Sequence, residues 1–412
     1  MKVGYGHADL PVPEGTELGG YIDRPGPSAG TLDPLQVAVV TWFDGERRFA
    51  LATADLICVN ADLAERVRAS VDDAEVWLAA SHTHAGPETG CVPGGGATPA
   101  AWTERVSGAV RAAVRRAVDG ERSSDGTLHR GTLTGVGADR SRPEASPSVP
   151  LDVVAVWDDS GLAGVVVVLP VHPTVLPASN VLVSADLVGA VREALRARLG
   201  AGTWVVVATG AAGDISTRFT RRGQDARELT RLADLVASRC ATLLTRPGEP
   251  AWSDSWDDRA SVRTGGRVTF ARARRELARA VPAADADALA ADYERVKDDP
   301  VAARLALSRL HGVRARPTET PSEATITAEV GVARIGALGV VGLPGEPFLG
   351  VAEAVQEGQG PVVVLGYVNG YPGYLPTAQA YARAEYEVLA SAVAPGSAER
   401  LVETARHLLE ET

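Results

Sequence analysis

The feature that most constrains this chain is a series of short apolar runs, each ending in a chemically competent side chain. Residues 76–80 read as a buried strand and empty into Ser81-His82-Thr83-His84-Ala85-Gly86-Pro87. The run 162–171 delivers His172-Pro173-Thr174, and 204–208 leads through Gly210-Ala211-Ala212-Gly213 to Asp214-Ile215-Ser216. The run 337–341 ends in Gly342-Leu343-Pro344-Gly345-Glu346-Pro347, and 362–365 leads to the region of Tyr374. Glycine and proline punctuate every one of these exits, so the polar groups sit where strands give way to loops. Polar groups repeatedly placed at strand ends are what an active site on a rigid scaffold requires.

Residues two apart in extended backbone point the same way, so His82 and His84 are expected to face one cavity. Imidazole is the commonest protein ligand for zinc. Two histidines and a carboxylate make a common catalytic zinc set that leaves a position for water; the candidates at these strand ends are His82, His84, His172 and Glu346, although the sequence contains no HExxH motif. Each residue also has a plain structural reading. His172 before a proline suits a turn, and Glu346 suits the cap of a helix that starts at Pro347. The tyrosines suit a core or a rim. Asp55, at the end of the strand 49–54, is expected either to orient a histidine or to cap a helix near Asn60. The glycines at 210 and 213 lack the spacing of either nucleotide-binding glycine motif.

Strands and helices alternate loosely, with hairpins at 153–171 and 326–341. The fold class is therefore α+β (mixed α/β), with mixed sheets flanked by helices and the site at strand ends. No repeat of fixed period appears. Residues 1–35, rich in Gly and Pro, read as a loop-dominated opening, and 271–312 read as a helical excursion, more a solvated flank than a dimer contact; a homo-oligomer stays open. The candidate ligands fall on both sides of the Pro-, Trp- and Asp-rich connector 247–258. One catalytic domain over 1–412 is the expectation.

A formal net charge of -11 over 412 residues argues against a general nucleic-acid binder. Cys58, Cys91 and Cys240 are odd in number and far apart, which fits a reducing compartment. The N-terminus has no apolar signal core, and the longest apolar run is too short to span a bilayer. A cytoplasmic protein without stable membrane insertion is expected.

Taken together these stretches resemble the neutral/alkaline ceramidase family, specifically its zinc-bearing N-terminal catalytic domain. The resemblance rests on Ser81-His82-Thr83-His84-Ala85-Gly86-Pro87, Asp139-Arg140-Ser141, His172-Pro173 and Ser184-Ala185-Asp186-Leu187-Val188-Gly189. It continues in Gly213-Asp214-Ile215-Ser216, Leu343-Pro344-Gly345-Glu346 and the stretch from Tyr374 to Tyr386-Glu387, all in the family's order. It implies one Zn2+ held by His82, His172, Glu346 and Tyr374. It implies catalytic roles for Ser216, His84, Tyr386 and Arg140; Arg140 follows Asp139 where the family has asparagine. Family members carry a further C-terminal β-sandwich and usually an export signal, neither of which is expected here. The function implied is zinc-dependent hydrolysis of an amide (N-acyl) bond in a small or lipid-like molecule. An esterase or lactonase, an amide-forming acyltransferase, and a metal- or ligand-binding protein without turnover are the alternatives.

Overall fold

The computed structural model describes residues 1–142, 148–245, 248–250, 266–280, 285–315 and 324–412. Most of the connector 247–258 lies outside the described residues, as do the first residues of a strand expected at 261–270.

The same order of strands and helices occurs three times. Lys2–Asp9, Gln36–Phe43 and Arg48–Ala54 pair antiparallel, and Glu75–Ala80 joins the third in parallel. Asp125–Thr134, Ser148–Asp158, Gly161–Leu169 and Trp204–Thr209 repeat that pattern, with the last pair again parallel. Val268–Ala278, Thr325–Ile335, Leu338–Gly342 and Val362–Leu365 repeat it once more. In each unit a helix crosses from third strand to fourth: Ala61–Arg68, Asp186–Leu199 and Leu349–Gln356. A longer helix follows the fourth: Ala100–Asp119, Ala226–Leu244 and Ser397–Glu411.

This arrangement explains why the apolar runs are continuous rather than alternating: both faces of every sheet are covered. Val37 and Val39 pack outward with the helices of the first unit, whereas Ala38 and Val40 face inward. Val165 and Val167 pack outward in the second unit, and Val166 and Val168 inward. The third sheet packs outward against its own two helices. The inward faces of all three sheets, with Trp77, Val206 and Val340 among them, form one shared core. The carboxyl end of each parallel pair is where ligands gather in sheets of this kind, and here three such ends converge.

The mixed α+β class is as expected, and two elements differ from expectation. Lys2–Asp9 is a strand paired over its whole length with Gln36–Phe43. Its glycines are packing residues: a Cβ on Gly4 would lie 1.9 Å from the Ala117 carbonyl oxygen, and one on Gly6 2.1 Å from that of Ala113. Likewise the 271–312 excursion is helical only in its later part. Residues 271–278 complete the strand Val268–Ala278, an edge strand paired along its length with Thr325–Ile335. Ala, Arg, Glu and Leu favour helix as isolated residues, and the pairing overrides that preference.

The helices Ala286–Val296 and Pro300–Arg314 follow. Asp285 and Asp299 cap them, each accepting bonds from two backbone amides. The first buries no residue, as a solvated flank should. The second does not fit that description. It packs Gly312 so closely on the Tyr386 carbonyl that a Cβ would lie 2.7 Å away. Among the described residues no helix is long and apolar enough to cross a membrane.

Candidate metal centre and active site

The strand Glu75–Ala80 ends before the two histidines, and they do not meet by strand alternation. His82 takes a left-handed backbone, φ 63°, a conformation that costs about 1–3 kcal/mol in a non-glycine residue. It turns the imidazole inward, where it stacks on Tyr367 at 4.3 Å between centroids. His82 Nδ1 lies 2.6 Å from the Ile57 carbonyl oxygen. A carbonyl can only accept, so Nδ1 carries the proton and Nε2 presents a lone pair. His172, bridged through its backbone to Ile215 and Ser216, repeats this with Nδ1 3.0 Å from the Ala212 carbonyl.

Those two Nε2 atoms are 2.9 Å apart. Glu346 Oε2 lies 3.3 Å from one and 3.5 Å from the other, and has no hydrogen-bond donor of its own. All three side chains are at most 2% exposed. Three buried lone-pair donors pointed at one another repel unless a cation lies among them. His84 Nε2 is 3.3 Å from that of His82, and nitrogen atoms of His82, His84 and His172 all lie within 4.8 Å of one another. These residues therefore fit a bound metal ion.

Glu346 does not cap a helix. Glu346–Pro347 forms a short parallel bridge with Tyr374–Leu375 that sets Glu346 beside Tyr374. Gly345, at φ 61°, and Gly213 permit this close backbone approach: a Cβ on Gly213 would lie 2.5 Å from the Glu346 carbonyl oxygen. Asp214 instead accepts from the Leu349 amide at 2.8 Å and anchors the start of that helix. Asp55 takes neither expected role: it pairs with Arg192 at 3.0 Å and accepts from the Gln36 amide.

The electrostatics keep the donors in their metal-binding states. Burial raises the Glu346 carboxyl, while the charge of Arg140 and the hydrogen bond from Tyr371 act to lower it. Burial pushes His84 and His172 well below ordinary imidazole values, so both are neutral at pH 7.

Beside the donors opens a cavity of about 210 Å³. His84, Arg140, Ser216, Tyr374 and Tyr386 line it. The short strand Ala138–Asp139, paired with Ile215–Ser216, places Arg140 opposite Asp214, whose carbonyl oxygen accepts from the Arg140 amide at 2.9 Å. Arg140 Nη2 donates to the Tyr374 hydroxyl at 2.7 Å, and its Nε pairs with Glu387. Burial would lower the Arg140 pKa, but Tyr374, Glu387 and Glu346 raise it well above the ordinary value, so it stays charged. The guanidinium also lies 5.4 Å from the Tyr386 ring centroid. Gly20 leaves room for the His84 ring, since a Cβ there would sit 2.5 Å from it. Ser216 Oγ accepts from the Arg218 amide at 3.3 Å; among the described residues no base hydrogen-bonds to it.

All eight residues singled out in the sequence are thus in one neighbourhood. Sequence reasoning missed Tyr371, whose hydroxyl donates to Glu346 Oε1 at 2.5 Å, and Tyr367 beneath His82. Both belong to the tyrosine-rich stretch, whose density was the only signal. Arg218, Arg221 and the helix Pro300–Arg314, which brings Ser308 and His311 to the cavity, carried no signal at all.

No protein-family model matches the chain, and no curated sequence relative does. Among solved structures the fold is similar to that of a neutral ceramidase from Pseudomonas aeruginosa, at TM-score 0.74 and 18% identity. That likeness covers 100% of this chain and 74% of the other. A ceramidase complexed with C2 is similar at TM-score 0.75 and 18% identity, over 100% of this chain and 75% of the other. The fold is neutral ceramidase-like.

Proposed function

We propose that this protein is a zinc-dependent hydrolase that cleaves an amide (N-acyl) bond in a small or lipid-like molecule. The observation that carries the proposal is the convergence of His82 Nε2, His172 Nε2 and Glu346 Oε2, three acceptors with no proton among them. The likeness to ceramidases supports the choice of an amide over other acyl bonds. His82, His172, Glu346 and Tyr374 would hold the ion. When bound, it lowers the pKa of water in the site and polarises the acyl carbonyl.

The remaining groups surround the space where an acyl carbon would lie. His84 is neutral and borders the cavity, so it can take a proton from the attacking water and pass it to the leaving nitrogen. Arg140, held charged, and the Tyr386 hydroxyl would donate to the oxyanion as it develops. Ser216 lacks a hydrogen-bonded base, which favours an orienting hydroxyl over a covalent nucleophile.

A second reading rests on the mutual closeness of His82, His84 and His172, which would make His84 a ligand. Metal content of His84→Ala separates the two: retained metal with lost turnover places His84 in proton transfer, and lost metal places it among the ligands. The function itself is tested with a panel of N-acyl amides and matched esters, with and without an amine acceptor, before and after chelation. Amide hydrolysis that chelation abolishes and zinc restores is the expected result. Turnover indifferent to chelation, or none on the whole panel with zinc present, would contradict it.

A further inference from the structure

One wall of the cavity carries positive charge that the reaction just described does not use. Arg218 and Arg221 both line it, two and five residues beyond Ser216. Among the described residues neither pairs with a carboxylate. Arg218 Nη1 donates to the Arg140 carbonyl oxygen at 3.1 Å, and both its terminal nitrogens reach Ser308 Oγ at 3.4 Å. Arg221 Nη1 donates to the Thr174 carbonyl oxygen and to Thr217 Oγ1. Carbonyl and hydroxyl oxygens position a guanidinium without neutralising it.

The surroundings add to the charge. On the helix Pro300–Arg314, Arg304 lies four residues before Ser308 and seven before His311, spacings that share one helix face. Burial, then the neighbouring charge of Arg140, brings Arg218 down to about 10, which still leaves it cationic at pH 7. Glu387 acts against that shift, and Arg304 and Arg221 act with it. The one carboxylate among the cavity's lining residues is Asp23, well exposed at the rim, with His311 Nε2 3.7 Å from it. In a chain of net charge -11 this cationic wall is not a consequence of composition. Partly desolvated guanidiniums with no directly paired carboxylate favour an anion, because an uncharged ligand leaves them without a direct ionic partner.

We propose that the substrate carries an anionic group of the carboxylate class, which Arg218 and Arg221 hold beside Ser216 while the scissile acyl bond faces the histidines. The proposal rests on the acyl-hydrolase reading for the identity of the reacting bond. The binding of the anion is independent of turnover. The carboxylate can lie on the amine side or on the acyl side of that bond, and two probes distinguish these.

The experiment uses N-butanoylglycine and N-butylsuccinamic acid, each beside its uncharged methylamide. Binding to the protein as purified is followed by calorimetry, and amine release is measured in parallel. At least one acid is expected to bind about tenfold or more tightly than its methylamide, as a charge-assisted contact requires. That ratio should fall toward one in Arg218→Gln and in Arg221→Gln, and recover in part in Arg218→Lys, all with wild-type circular dichroism. Equal binding of acids and methylamides, no binding of either acid at millimolar concentration, or a ratio that survives both Gln variants would overturn the proposal. Discrimination without amine release, here and across the whole panel with zinc present, would leave the anion site standing and remove the hydrolase reading. Amine release without discrimination would do the reverse.

Discussion

Single side chains in this site act through the atoms behind them. The carbonyls of Ile57 and Ala212 fix which nitrogen of His82 and His172 carries the proton, and so decide that both present lone pairs. Tyr371 does the same for Glu346 by occupying Oε1 and leaving Oε2 to the histidines. Outer hydrogen bonds of this kind are typically worth about 10- to 100-fold in metal affinity. Tyr371→Phe is therefore predicted to weaken zinc binding by about that factor in a competitive chelator titration; unchanged affinity would show that the tyrosine is mere packing. Ser216→Ala is predicted to lose most turnover with its metal retained, measured on whichever amide the panel identifies. At this scale the sequence was legible where chemistry is written in residue type: histidines, a glutamate and a serine just past apolar strands. It was silent on Tyr371 and on the left-handed turn at His82, because both depend on contacts distant in the chain.

Elements were legible where the apolar pattern and the fold agree. The two hairpins and the strand Val362–Leu365 emerged with nearly the observed limits. The failures have definite causes. Lys2–Asp9 was concealed because Gly4 and Gly6, which look like loop residues, are demanded by the helix lying on them. Gly6→Ala is predicted to cost about 1–3 kcal/mol or more in urea denaturation. Gly26→Ala, with nothing within 4 Å of the added Cβ, should stay within about 0.5 kcal/mol.

A second element-scale prediction concerns the start of the helix Ala226–Leu244. There Asp225 accepts from the Glu228 amide, and Glu228 accepts from the Arg222 amide and pairs with Arg231 at 2.6 Å. The bond from Arg231, followed by the Arg222 amide, holds the Glu228 carboxyl below its usual 4.5. A depressed carboxylate stabilises the fold above its unfolded pKa, and the stabilisation fades as pH falls through the folded value. Glu228→Ala should therefore cost about 1 kcal/mol at pH 7 and progressively less below about pH 4.5. A cost independent of pH would assign the effect to packing.

Over the whole molecule, the organisation least visible in the sequence is the threefold recurrence of one strand-and-helix plan. The segment between first and second strands walls the site in every unit. Residues 10–35 bring Tyr21, residues 135–142 bring Arg140, and residues 285–315 bring Ser308 and His311. The three inserts differ in length and composition, which erases any fixed period. The donors are divided in the same way: His82 follows the fourth strand of the first unit, while His172 and Glu346 follow the third strands of the second and third. A metal ion at this point would tie three sheets together, as well as serve the chemistry. The most direct test is elemental analysis of the purified protein, wild type beside Glu346→Ala. About one zinc per chain in wild type and far less in the variant is the predicted result, as for a catalytic site with few protein ligands. A wild-type protein that holds no metal even after zinc is offered would contradict the account at its centre.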